Sequence, residues 1–144
     1  MTTAFLNLTD LVVAALRQAP ALAPDIARGR AAPVGQGKTA AIRVGMARST
    51  AKAIDIDGSL RWESVVVVEL FARAAADADG EQAIDALLAG TWQRLQGISA
   101  PPGTLGITLE PSIGWDIDEA DQTLVRAQLG LLIVHTTGTG LAAA

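Results

Sequence analysis

The sequence predicts an α+β fold in which two helices pack on a mostly antiparallel sheet of four to five strands. Three observations give this prediction: two long stretches of alternating apolar residues around a short acidic loop, a valine-rich stretch that is apolar on both faces, and two segments with helical spacing. For a chain of 144 residues we expect one domain, residues 1–137, followed by a flexible C-terminal tail, residues 138–144.

The stretch 105–137 predicts a long antiparallel hairpin. Mostly apolar residues stand at alternate positions from 105 to 117 and again from 123 to 133, and this period of two puts them on one face of each strand. The segment Asp118-Glu119-Ala120-Asp121 lies between them and predicts the loop. Because a hairpin cannot bury its apolar face alone, we expect other elements to cover it.

Residues 61–74 give the strongest strand signal, because four consecutive valines make both faces apolar in the middle. Alternation also predicts a strand at about 42–47, and a short strand is expected near 26–31. Between the two longer strands we expect a flexible arm, residues 48–60, in which Asp57-Gly58 favours a tight turn.

Apolar residues at helical spacing predict one helix that begins near Asn7 and ends before Pro20. A second helix is expected after Asp79, which forms a capping box with Gln82, and it should end at Gly97.

The composition excludes several classes of site. There is no apolar run approaching the roughly 20 residues of a membrane-spanning helix, and the N-terminus lacks the basic region of a secretory signal. The chain has no cysteine and a single histidine, His135, so a zinc or iron site would consist almost wholly of carboxylates. We therefore expect no metal and no cofactor.

Charge is distributed unevenly along the chain. Residues 1–52 contain seven basic and two acidic residues, a net charge of +5, whereas residues 53–144 contain four basic and thirteen acidic residues, a net charge of −9. The two halves can be complementary surfaces for self-assembly, or they can be ordinary solvated charge.

The segment 32–39 fits the loose phosphate-loop pattern, in which Gly37, Lys38 and Thr39 would bind phosphates and magnesium. A phosphate loop follows a buried strand and opens a helix, but the residues after Thr39 alternate as a strand. A small nucleotide-binding protein that uses Gly37-Lys38-Thr39 is therefore the alternative function, not the leading one.

Five acidic residues of the predicted strands offer carboxylates for acid–base chemistry: Glu63, Glu69, Glu110, Asp116 and Asp118. Nothing in the sequence makes any two of them converge, and solvated strand ends and edge-protecting charges explain them better. We therefore predict no catalytic residue and no enzymatic activity.

Three segments, in their order along the chain, resemble the tail terminator (tail completion) proteins of long-tailed bacteriophages and prophages. They are the strand Arg61-Trp62-Glu63-Ser64-Val65-Val66-Val67-Val68-Glu69, the helix with Ala83-Ile84-Asp85-Ala86-Leu87-Leu88, and the closing strand Leu131-Leu132-Ile133-Val134-His135-Thr136. The resemblance covers roughly residues 4–137. It implies a structural virion protein, an α/β subunit that closes into a hexameric ring, caps the finished tail tube, stops its polymerisation and docks the head connector.

The resemblance also implies the partners and the place of assembly. These are further copies of the chain, a tail tube protein and a head–tail connector protein, in a virion tail assembled in the bacterial host cytoplasm. DNA would only pass through the pore, and no membrane is involved. Another phage head–tail joining or baseplate protein with the same sandwich is the remaining alternative.

A ring needs a heterologous interface, in which two different patches of the subunit fit each other. Our hypothesis is that the basic half meets the acidic half, and that reversing the charges of Arg43 and Arg48 impairs assembly. The interface residues in this hypothesis are Arg28, Arg30, Lys38, Arg43, Arg48, Lys52, Glu63, Glu69, Asp116 and Asp118.

Overall fold

A computed structural model describes residues 2–29, 39–74, 80–117 and 124–142 as two helices and a five-stranded sheet. The strands lie in the order β1-β2-β3-β5-β4. In chain order the elements are α1 (Ala4–Arg17), β1 (Asp25–Arg28), β2 (Ala40–Ile54), β3 (Leu60–Arg73), α2 (Gly80–Gln96), β4 (Thr104–Ile117) and β5 (Leu124–Thr137).

The sheet is mixed rather than purely antiparallel. The short strand β1 runs parallel to β2, whereas the pairs β2–β3, β3–β5 and β4–β5 are antiparallel. Parallel neighbours need a return connection of about a dozen residues, and eleven residues separate Arg28 from Ala40 along the chain. The α+β class is confirmed, and the predicted hairpin of 105–137 is present as β4 and β5.

Both helices pack on the same face of the sheet. Alternate residues of the three central strands face them and are fully buried, among them Ile42, Val68 and Ile133. Leu16 of α1 and Ile84 of α2 belong to the same core cluster. We call the opposite side of the sheet the back face. The valine-rich strand is buried there too, since Val65 and Val67 belong to the opposite set of alternating positions and are each about 5% exposed or less.

The predicted flexible arm is a β-ribbon. Strand β2 continues to Ile54 and stays paired with β3 as far as Leu60, with irregularities between Met46 and Arg48 and between Ala51 and Ala53. The prediction that the strand ends near residue 47 was wrong, because small residues such as Ser49 and Ala51 give little strand signal until β3 pairs with them. We call residues 48–59 the arm.

The predicted acidic loop 118–121 and the predicted capping residue Asp79 lie outside the described residues. The beginning of the predicted flexible tail contacts α1, because the Ala4 N–H donates to the Leu141 carbonyl at 2.8 Å. The flexibility of the tail as a whole remains a prediction.

Candidate assembly surfaces

Five charged side chains of alternating sign cross the back face, one from each strand of the sheet. We call them the charge row; in spatial order they are Asp25, Arg43, Glu69, Arg126 and Asp116. The register of the strands aligns them, since Arg43 lies opposite Glu69 and Asp116 lies opposite Arg126. The row is a property of the sheet pairing and not of any short motif.

Arg43 is a buried cation in the middle of β2. It is 3% exposed, and its Nη2 lies 2.8 Å from Asp25 Oδ2. Its Nη1 also donates to the Ile42 carbonyl at 3.2 Å. A buried guanidinium requires such partners, because an unpaired charge at this depth costs several kcal/mol.

At the other end of the charge row, Arg126 bridges two carboxylates. Its Nη2 lies 2.7 Å from Asp116 Oδ2, and its Nη1 lies 3.6 Å from Glu69 Oε2. Glu69 is 3% exposed, Arg126 is half-buried and Asp116 is exposed. Each carboxylate of the row therefore has an arginine of the same chain beside it or opposite it.

This arrangement has chemical consequences. An acid–base pair needs two carboxylates that face one reacting group, but here an arginine separates Glu69 from Asp116. Glu110 instead lies over Gly130, where a Cβ atom would come within 2.9 Å of its Oε2. Across the described ranges, no three metal-ligating side chains come together.

The hypothesised interface residues that the structure describes lie in three kinds of position: in the charge row, in exposed ion pairs within the chain, and exposed on the arm. Arg43, Glu69 and Asp116 belong to the charge row. Exposed pairs within the chain contain Arg28, whose Nη1 lies 2.7 Å from Asp10 Oδ1, and Lys52, whose Nζ lies 3.7 Å from Glu63 Oε2.

Of the remaining hypothesised residues, Arg48 is exposed on the arm, whereas Arg30, Lys38 and Asp118 lie outside the described residues. Sequence reasoning missed Asp25 and Arg126. The one signal for Arg126 was its place at a polar position of the alternating strand β5.

Large apolar side chains are exposed mainly at the arm end of the subunit. Ile54 is 74% exposed and Ile56 is fully exposed at the tip of the arm. Leu105 belongs to the same end, since its neighbour Thr104 pairs with His135 near the base of the arm. The other exposed large apolar residues within the described ranges are Leu6 and Leu141, whose segments meet at the Ala4–Leu141 hydrogen bond, and Trp115 at the far end of β4.

The tip of the arm is a compact turn. Asp57 Oδ1 accepts hydrogen bonds from the Ser59 N–H at 2.9 Å and from the Ser59 hydroxyl at 2.7 Å, and these bonds hold the pKa of Asp57 below its ordinary value. Gly58 adopts φ of 83°, which glycine tolerates readily. The turn therefore presents Ile56 to solvent from an ordered backbone.

A buried polar chain anchors the base of the arm to the sheet. The Ser49 and Ser64 hydroxyl oxygens lie 2.7 Å apart, and Ser64 Oγ lies 2.7 Å from His135 Nε2. Burial lowers the pKa of His135, because its surroundings disfavour the charged ring. The Phe5 ring meets both the Trp62 and the His135 rings edge-on, with centroids 5.2 and 5.3 Å apart.

An open recess of about 520 Å³ lies where β1 ends beside β2. Beyond the pairing of Arg28 with Val44, β1 provides no further partner for β2. We call this hollow the edge recess. It is lined by Phe5, Leu6, Thr9, Arg28, Gly29, Gly45 and Met46.

The element that follows Thr39 does not match the phosphate-loop alternative. Gly37 and Lys38 lie outside the described residues, but Thr39 leads directly into β2. A strand therefore occupies the position where the helix of a phosphate loop would begin.

No protein-family model and no curated protein sequence matches this chain. Among solved structures, the fold is similar to a chain of the virion of a native gene transfer agent particle, with a TM-score of 0.65 at 14% identity over 94% of this chain and 100% of that chain. A second neighbour is the sheath/tube terminator of an extracellular contractile injection system in its extended state, at a TM-score of 0.49 and 12% identity, covering 100% of this chain and 61% of that chain.

The first similarity, at this level of identity, establishes a shared fold. Within the described part of the chain, no helix is both long and apolar enough to cross a membrane.

Proposed function

We propose that this chain is a non-enzymatic structural protein of a phage-like virion tail. In this proposal it caps the completed tail tube as a hexameric ring, stops tube polymerisation and provides the docking surface for the head connector. It would assemble in the bacterial host cytoplasm from copies of itself, the tube protein and the connector protein, with DNA only passing through the pore.

The observation that carries the proposal is the contrast between paired charges and exposed apolar residues. The charges of the row are paired within the subunit, whereas Ile54, Ile56 and Leu105 face solvent at the arm end. Large apolar side chains exposed at one end of a subunit are candidates for protein–protein contacts.

The fold supports the same proposal. A chain of a gene transfer agent virion shares the architecture over the whole of its own length. The carboxylates of the charge row lie beside arginines, and this leaves no acid–base constellation among them for an enzymatic reaction.

The corresponding test measures the mass of the purified chain by light scattering and images it by electron microscopy, alone and with the tube protein encoded in the same genome. We expect rings that bind one end of the tube, and we expect deletion of the gene to give tubes of uncontrolled length without heads. A chain that stays monomeric at high concentration, ignores the tube and hydrolyses a phosphate ester would overturn the proposal.

A further inference from the structure

The arm and the edge recess differ in shape but match in chemistry, and this suggests a head-to-tail contact between copies. We propose that the tip of the arm of one subunit, centred on Ile56, docks in the edge recess of the next subunit. This inference rests on the proposed ring and names its two mating surfaces. A heterologous interface of this kind uses two different patches and repeats around a closed rotation.

The tip has an apolar centre with acidic neighbours. Ile56 is fully exposed and stands between Asp55 and Asp57 in a turn fixed by Ser59. An ordered turn loses little conformational freedom on docking, so the burial of its isoleucine contributes more fully to affinity.

The edge recess offers the complementary features. Leu6, Phe5 and Met46 supply apolar walls, and Arg28 supplies a half-exposed guanidinium at the same hollow. That guanidinium already contacts Asp10 through Nη1, but its five N–H donors allow a second carboxylate to bind beside it. An Asp-Ile-Asp tip therefore fits a hollow with apolar walls and one arginine.

The outer edge of β2 gives an independent reason for a partner at this place. Strand β1 accompanies β2 only to Val44, and within the described residues no other strand pairs with that edge from Gly45 to Ile54. Unpaired strand edges are places where another chain adds hydrogen bonds. The edge recess lies at the start of this unpaired edge.

The paired ribbon holds the tip away from the β2 wall of its own edge recess. Ile54 lies eight positions after Met46 in β2, an extended length of roughly 25 Å. Because the ribbon is paired with β3 along this length, it cannot fold back onto Met46. The proposal therefore places the contact between copies.

The first experiment is a disulfide cross-link, which is clean because the chain contains no cysteine. We expect mild oxidation of Ile56→Cys/Leu6→Cys to give a ladder of covalent oligomers that ends at the size of the ring. The matched control, Ile56→Cys/Trp115→Cys, also joins two exposed positions but lies outside the proposed contact, and it should give no ladder. Equal ladders from both pairs would overturn the inference.

The second experiment measures assembly by light scattering. We expect Ile56→Asp to weaken subunit association roughly 10- to 100-fold, the effect of one buried isoleucine, and Trp115→Asp to leave it unchanged. Circular dichroism and the melting temperature report on folding, which should be unaffected because Ile56 makes no contact with the core.

The third experiment mixes two defective chains. A chain with Ile56→Asp retains an intact edge recess, and a chain with Leu6→Asp retains an intact tip. We expect native mass spectrometry of the mixture to reveal mixed dimers and no closed rings, because each mixed pair has only one complete contact. Full rings from the mixture would contradict the head-to-tail arrangement.

These results separate the inference from the proposed function. If the wild-type chain forms rings, and Ile56→Asp forms them equally well without a cross-link between positions 56 and 6, the docking inference is wrong and the ring proposal stands. If the wild-type chain does not assemble even with the tube, the ring proposal itself is wrong.

Discussion

The charge row and the tip of the arm reverse the usual arrangement of a small protein. Arg43 and Glu69 are each 3% exposed, whereas Ile56 is fully exposed. Charged residues are almost never buried unless they are paired, and the row meets this condition with partners from its own chain. Burial therefore assigns the charges to folding and leaves the apolar tip available for the contact between copies that we propose.

This pairing changes how the hypothesis that the basic half meets the acidic half across the interface can be tested. Reversing the charge of Arg43 would place a carboxylate beside Asp25 and opposite Glu69, so the subunit itself would be destabilised. A loss of assembly in the double variant of Arg43 and Arg48 would not distinguish the two effects. Arg48 alone, on the exposed arm, is the informative position.

The largest expected effect tests the row directly. Arg43→Met should lower the free energy of unfolding by roughly 3–5 kcal/mol, because it removes the buried cation that pairs with Asp25 and lies opposite Glu69. Arg48→Met, in the same strand but exposed, should change it by no more than about 0.5 kcal/mol. Urea denaturation of both variants provides the measurement, and equal values would break the distinction between folding charges and surface charges.

The second prediction compares two isoleucines. Ile133→Ala removes a fully buried side chain and should lower the free energy of unfolding by roughly 2–5 kcal/mol. Ile56→Ala should lower it by less than about 0.5 kcal/mol when measured below the concentration of assembly. A large loss in the second variant under those conditions would mean that the tip stabilises the subunit itself.

The third prediction concerns a charge that joins the two helices. Arg94 of α2 donates from Nη1 to the Gln18 carbonyl at 2.6 Å and from Nη2 to the Pro20 carbonyl at 2.9 Å, just beyond the end of α1. Arg94→Met should therefore lower the free energy of unfolding by roughly 1–3 kcal/mol. The control is Arg61→Met, at an exposed position. Thermal melting of both variants tests the expectation, and equal melting temperatures would count against it.

The smallest expected effect is a pH dependence that comes from His135. Burial lowers its pKa in the folded state, so the unfolded state binds the proton more tightly. The contribution to stability is complete above the ordinary histidine value of about 6.5 and is lost as the pH falls from there towards the lowered value.

We expect the free energy of unfolding to fall by at most about 1.4 kcal/mol per pH unit in this window. His135→Gln should remove this contribution to the slope. Urea denaturation of the wild-type chain and of His135→Gln at pH 7.5, 6.0 and 5.0 gives the slope of stability against pH for each. Identical slopes would show that His135 does not titrate differently on folding.

The sequence was most informative where a local pattern determines the structure. The alternation around Trp115 and Leu129 predicted the β4–β5 hairpin, and the four valines predicted a strand buried on both faces. The sequence was least informative where pairing between distant strands determines which side chains meet. The parallel strand β1 brings Asp25 to Arg43 from 18 residues away, and no local pattern reveals such a partner.

The same limit bears on two expectations about surfaces. The interface hypothesis took charge as a sign of exposure, but Arg43 and Glu69 become interior residues only through the register of β2 and β3. The arm was expected to be flexible because Ser49, Thr50 and Ala51 lack an apolar periodicity, yet pairing with β3 orders them. Ile54 and Ile56 were the available sequence signal for the contact that we propose, since they are the two large apolar residues in an otherwise small and polar arm.

The hydrogen bond between Ala4 and Leu141 has a practical consequence for work with this protein. It holds residues 4 and 141 side by side, and Thr139 also lies against Gly58 at the turn of the arm. A purification tag or fluorophore fused beyond either residue would thus stand next to the tip rather than at a neutral site. Tagged and tag-free preparations should be compared before any oligomer size is accepted.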